Sequence, residues 1–314
     1  GMKMIAAVLA AASLMQAPPQ IAVQAPQTPP TSSAVAGQDE TATTLEDVVV
    51  DGRPVAAVAQ AFVEAVAAPP RDRGLARWFG AVCVGVVNVR PEVAEPLIDH
   101  ISAVALDVGL RIGGPGCQPN IVIAFTTDAA DMATSVVDRN RRAFHLGVGG
   151  LDRGKVALQA FQTIDRPVRW WHVSMPVVGE TGARAIRMPG DGDDIIYVPG
   201  EGRANNGRPI TDSLNKVIVI VDVDQIQTAN LAQLGDYLAM VTLAQVDLEG
   251  STEGFDSILN LFENPARTHG LTEWDQAYLD VLYDAYPQRV NRNAQSSDLA
   301  RRVTRTRREP NASN

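Results

Sequence analysis

The chain is short of the residues that build metal and nucleophile sites. It has four histidines, His100, His145, His172 and His269, among 314 residues. No two stand one helical turn apart, so the two-imidazole helix of a zinc hydrolase is missing. Two cysteines, Cys83 and Cys117, are too few for a metal site built on thiolates alone. No apolar run has the length of a bilayer crossing; the longest candidate, "MIAAVLAAASLM" at 4–15, is too short. Positive charge is scarce except at the C-terminal end. From Tyr286 onward seven arginines stand against Asp298 and Glu309, a balance of +5; from a total of −9 this leaves −14 for the rest. Such an acidic body lacks the basic face that phosphate binding needs, which argues against nucleic acid as a partner.

What is present at the N-terminus reads as export. Lys3 precedes the apolar 4–15 segment, as in a signal peptide. We assign 1–25 to the signal, with Ala10-Ala11-Ala12 and Val23-Gln24-Ala25 as the two cleavage readings. No cysteine follows the apolar segment, so a lipoprotein anchor is not expected. The expected location is periplasmic or secreted. In an oxidising compartment Cys83 and Cys117 are expected to pair, closing a loop of about 35 residues worth on the order of 3–4 kcal/mol. Two free buried thiols are the other reading. Residues 26–44 are rich in Pro, Gln, Thr, Ser and Ala and are expected to be a disordered linker. Residues 45–285 are expected to form one globular domain, and 286–314 a basic, mobile, disordered tail.

Within 45–285 the pattern alternates strands and helices. Val48–Val50 with the Asp51-Gly52 turn opens it, and Pro54 starts a helix with Val55, Val58, Phe62 and Val66 on one stripe. Strands are expected at 82–89 and 120–125. Between them lies a helix carrying Leu97, Ile101, Val104 and Val108, which Pro96 either kinks or starts. Asp128 is expected to cap a helix running to Ala143. "VRWWHVSMPV" (168–177) alternates as a strand, with Val168/Trp170/His172/Ser174 on one face. Residues 178–213, full of Gly, Pro, Asp and Asn, read as a surface excursion with strand only at 195–198. "VIVIV" (217–221) reads as a buried strand. Asn230 with Gln233 starts a helix through a capping box, a second helix is expected over "FDSILNLF" (255–262), and Thr272 with Asp275 starts a third. The fold class is therefore α/β (α+β), one mixed sheet packed with helices and a helical C-terminal part.

"RW" (77–78), "ISAVALDVGL" (101–110), "PNIVIAF" (119–125), "SILN" (257–260) and "GLTEWDQAYLDVLYD" (270–284) together resemble an exported bacterial family of unknown function with a zincin-like, metallopeptidase-like fold. "GCQPNI", "AFQTIDRPVRWWHVSMPV" and "QLGDYLAMVTLAQ" are similar to uncharacterised secreted proteins of alphaproteobacteria. The resemblance implies a single zincin-like domain in which a strand leads into a helix whose first turn carries HExxH-type ligands. Here Asp236-Tyr237 stands in place of His-Glu and Met240 in place of the second His, so HExxH is not present.

Other candidates fail on context. Ser213-Leu214-Asn215-Lys216 has the S-x-x-K spacing of penicillin-interacting serine enzymes, but a strand follows it where that chemistry needs a helix start. "DGDD" (191–194) opens like a calcium loop without its Gly and Glu, and "GVGG" (147–150) is not a dinucleotide fingerprint. "LEDVVVDG" (45–52) is similar to the segment opening some outer-membrane receptors, and equally to an edge strand and turn. The arginine tail reads as solvated, or as touching anionic head groups or the acidic body. Trp170, Trp171 and His172 beside the Gly-rich excursion form the one candidate binding surface, with core packing as the other reading. No catalytic, metal or cofactor residue is assigned. The expected function is a non-catalytic, zincin-like binding or scaffolding protein of the cell envelope, its partner an envelope protein or ligand. The alternative is a hydrolase with an unrecognised site, metal-dependent or not, built for example on His172 with acids from 178–213.

Overall fold

The computed structural model describes residues 49–50, 53–67, 75–144, 153–179, 181–188, 195–200, 202–203, 210–284 and 292–308. The signal and linker segments, His145, the 147–150 glycines, "DGDD" and the C-terminal "NAS" lie outside them.

Strands β1 (Val49–Val50) and β2 (Arg53–Pro54) pair antiparallel; the expected Asp51-Gly52 turn lies outside the described residues. Helix α1 (Val55–Val66) buries Val55, Val58, Phe62 and Val66 together with Ala59 and Val63, a helical stripe facing the core. β3 (Val84–Val87) leads into α2 (Pro91–Asp107). Pro91 occupies the first turn of α2, where its missing N–H costs nothing. Pro96 lies inside the helix, neither its start nor its end. β4 (Ile121–Thr126) runs parallel to β3. After it come α3 (Ala129–Arg139), α4 (Arg141–Phe144) and α5 (Gly154–Thr163). Asp128 caps α3 through the Asp131 N–H, but α3 ends at Asn140 and does not run to Ala143. α5 is absent from the sequence reading because it buries only Leu158 and Phe161, too few positions to show a period.

The main sheet has the order β3-β4-β9-β5. β5 (Val168–Val178) is antiparallel to β9 (Ile210–Asp222), which is parallel to β4. The β5–β9 ladder shifts register between Val173 and Ser174, the mark of a bulge that bends the pair. The excursion between them is not merely loop: β6 (Ile186–Met188), β7 (Ile195–Val198) and β8 (Gly202–Arg203) form a small sheet of their own. β9 begins at Ile210, earlier than the 217–221 run showed. Its register with β5 places Ser213 opposite Met175 in mid-strand, which rules out the S-x-x-K reading.

Helix α6 (Leu231–Leu243) starts at the expected Asn230–Gln233 capping box, with both reciprocal bonds made. "FDSILNLF" is not an α-helix. Only a 3-10 turn over Ile258–Asn260 forms, because Asp275 claims the Ser257 hydroxyl and the Ile258 N–H. Helix α7 (Glu273–Tyr283) begins at the expected Thr272–Asp275 box.

The basic segment corrects the expected domain boundary. Residues Arg292–Arg308 form α8, packed on α1 and α7. Leu299, Ala300 and Val303 are fully buried, and Arg302 pairs with Asp280 at 2.7 Å. The run of arginines hid this apolar stripe, whose spacing is nonetheless helical.

Cys83 and Cys117 form the expected disulfide, with Cα atoms 6.1 Å apart. It fastens the residue before β3 to the loop before β4. Reducing it is expected to lower stability by roughly 3 kcal/mol, read as a drop in urea midpoint between oxidised and reduced protein. An unchanged midpoint would show that the Asn120 side chain, bonded to Cys83 N and Ala81 O, holds that junction alone.

Candidate functional site

The residues assigned to a binding surface from sequence are core. Trp170, Trp171 and His172 are each 3% exposed. Trp170 donates its indole N–H to the Val246 carbonyl. Trp171 packs against Phe144 and Phe161 on the opposite face. His172 Nε2 donates to the Val241 carbonyl at 2.8 Å, and burial pushes its pKa down to about 4, so the ring is neutral. Helices cover both faces of β5, which removes the solvent side that strand alternation implied.

The positions aligned with metal ligands are also spoken for. Tyr237 and Met240 are buried. Asp236 accepts from His100 Nε2 at 2.6 Å and, through its other oxygen, from the Leu271 N–H at 3.1 Å. This pair ties α2, α6 and the turn before α7 together. Gly235 makes it possible, since a Cβ there would stand 2.8 Å from the His100 ring. His269 is exposed. Among the described residues no group of three or more His, Cys, Asp or Glu is arranged to hold a metal ion.

The feature that sequence reasoning missed is a cleft of about 770 Å³ between the segment 247–268 and the body. Its wall is held by internal bonds. Arg153 pairs with Asp247, Arg166 donates to the Gly250 carbonyl, Thr252 donates to the Asn260 side chain, and Gln233 donates to the Thr268 carbonyl. Gly250 has to be glycine, because a Cβ there would lie 2.5 Å from the Ala65 carbonyl oxygen. A loop tied at this many points is preformed, as ligand sites are.

The floor is aromatic. The Tyr237 ring sits between Trp170, at 6.2 Å, and Phe262, at 4.9 Å, both in edge contacts. Burial raises the Tyr237 pKa, Arg166 lowers it and Glu263 raises it, so at neutral pH the phenol keeps its proton and is a donor. The rim carries Arg267 against Glu253, Asp256 and Glu263. The lining offers guanidinium, carboxylate, amide, hydroxyl and phenol groups, and no imidazole or thiol. These residues come from α6, the start of β5 with the turn before it, and a segment that reads as polar loop, so no local pattern groups them. The loop's Gly, Ser, Thr, Asn and Glu content was the only signal.

No family model, no curated protein and no solved structure matches this chain.

Proposed function

We propose that this is an exported, non-catalytic binding protein of the cell envelope, built on a zincin-like frame and using the Tyr237 cleft to hold a polar ligand. One observation carries the reading. On α6, where such a frame presents its metal ligands, Tyr237 and Met240 are packed in the core and Asp236 is spent on His100 and Leu271, while a preformed polar cleft opens beside Tyr237. The disulfide and the Lys3-led apolar N-terminal segment support export. The test is elemental analysis of the purified protein together with a general peptidase assay. The expected result is substoichiometric zinc and no zinc-dependent hydrolysis; stoichiometric zinc with peptidase activity overturns the reading.

A hydrolase is the second reading, and one observation favours it: the His100–Asp236 pair is partly open to solvent, at 35% and 18% side-chain exposure. A carboxylate-oriented imidazole is the arrangement a general base uses. If hydrolysis is found, His100→Ala should abolish it without removing metal; activity that survives this change excludes the pair.

A further inference from the structure

We propose that the Tyr237 cleft binds short peptides with free termini, the carboxylate held by the Tyr237 hydroxyl and Arg166 and the ammonium held by Glu263. The inference rests on the binding reading above and specifies its ligand. Tyr237 is 3% exposed, yet its hydroxyl reaches the cleft and makes no hydrogen bond among the described residues. The other deeply buried polar groups of the lining are already satisfied: Trp170 by Val246, Ser257 by Asp275, and Thr268 by Asn264. Among the described lining residues the phenol is therefore a floor donor open to the cleft and left for a ligand, whose acceptor would take the place of water there.

Charge defines that acceptor and what lies beyond it. Arg166 spends one N–H on Gly250 at 3.3 Å and keeps the rest of its donor fork. Among the described residues the Glu263 carboxylate has no partner, and neither has the Arg267 guanidinium four residues on. Arg166 and Glu263 line the cleft together with Tyr237, and among the described residues this cation and anion make no ion pair with each other. A purely anionic ligand would meet Glu253, Asp256 and Glu263 on the rim, and a purely cationic one Arg166 and Arg267. A ligand with one charge of each sign satisfies both sets. The volume of about 770 Å³ exceeds what one amino acid fills and suits a peptide of about three residues.

The test is isothermal titration of the full chain with trialanine, N-acetyl-trialanine, trialanine amide and maltotriose, using wild type, Tyr237→Phe and Glu263→Gln. Trialanine should bind, and capping either terminus should weaken it by about tenfold or more. Tyr237→Phe should narrow the preference for trialanine over its amide, Arg166 holding what remains. Glu263→Gln should bind trialanine and its N-acetyl form alike. Both changes spare the fold, since neither group bonds to another of the described residues, and thermal melts confirm it. Maltotriose binding without trialanine binding overturns the peptide inference and leaves the binding reading standing. Equal binding of free and capped peptides, or no binding of any probe, also overturns the inference. The zinc and peptidase measurements report on the frame independently.

Discussion

Deleting residues 286–314 is expected to cost the protein most or all of its cooperative fold. The deletion removes α8, and with it Leu299, Ala300 and Val303 from the seam between α1 and α7. It uncovers Val63, Leu75, Tyr278 and Leu282, which now line only a small gap beside Leu299. Losing three buried side chains and uncovering their neighbours costs on the order of 5 kcal/mol. That is comparable with the roughly 5–15 kcal/mol that holds a domain together. The Arg302–Asp280 pair, part-exposed on both sides, adds little. Leu299→Ala isolates the packing and should destabilise by about 3 kcal/mol. Circular dichroism melts of the full chain, the truncation and the point variant decide the matter. A truncation that melts like the full chain would mean that α8 is not docked in solution.

The second large effect is at Asp275. Its side chain is wholly buried and accepts from Ser257 Oγ, Ile258 N, Thr272 N and Thr272 Oγ1. One carboxylate thus starts α7 and pins the 3-10 turn that backs the cleft. Asp275→Ala leaves these donors stranded and should cost roughly 4 kcal/mol.

Titration of the same residue gives a signed test. Burial raises the Asp275 pKa to about 6 despite the four hydrogen bonds, which lower it. Between about pH 4 and pH 6 the folded chain holds a proton that the unfolded chain has released, so Asp275 makes stability fall as pH rises through that window. His172 does the reverse. Its folded pKa is about 4, so from about pH 6.5 down to pH 4 the unfolded chain takes up the proton and stability falls with acidification. Each residue is worth roughly 3 kcal/mol across its window, and the two nearly cancel in the wild type. Asp275→Asn should therefore become more acid-labile than wild type between pH 6 and pH 4, and His172→Gln less so. Urea midpoints at pH 4, 5, 6 and 7, taken as differences from wild type, remove the contributions of all other groups. Parallel profiles for the three proteins would contradict both assignments.

Local rules could be read directly wherever both partners are near in sequence. The Asn230–Gln233 and Thr272–Asp275 boxes were legible because a capping box spans three residues. The α1 stripe and the β4 run showed their periods for the same reason. The Cys83–Cys117 pair followed from there being two thiols in a chain that reads as exported. α8 was missed because composition outweighed spacing: its arginines, Arg301 and Arg305 exposed among them, hide the buried side made by Leu299, Ala300 and Val303. The 255–262 segment has the apolar pattern of a helix, yet a carboxylate seventeen residues from Ile258 captured its backbone. Alternation along β5 correctly marked a strand but could not tell that both sides would be covered.

The sequence by itself determined the α/β class, most element starts, the disulfide, and the lack of an imidazole pair on α6, since each depends on residue type and short spacing. Only the tertiary structure decided that Trp170, Trp171 and His172 are core, that His100 meets Asp236, and that Tyr237, Arg166 and Glu263 converge on one cleft. Those contacts join residues tens to more than a hundred positions apart, and nothing short of the packed sheet and helices brings them within reach.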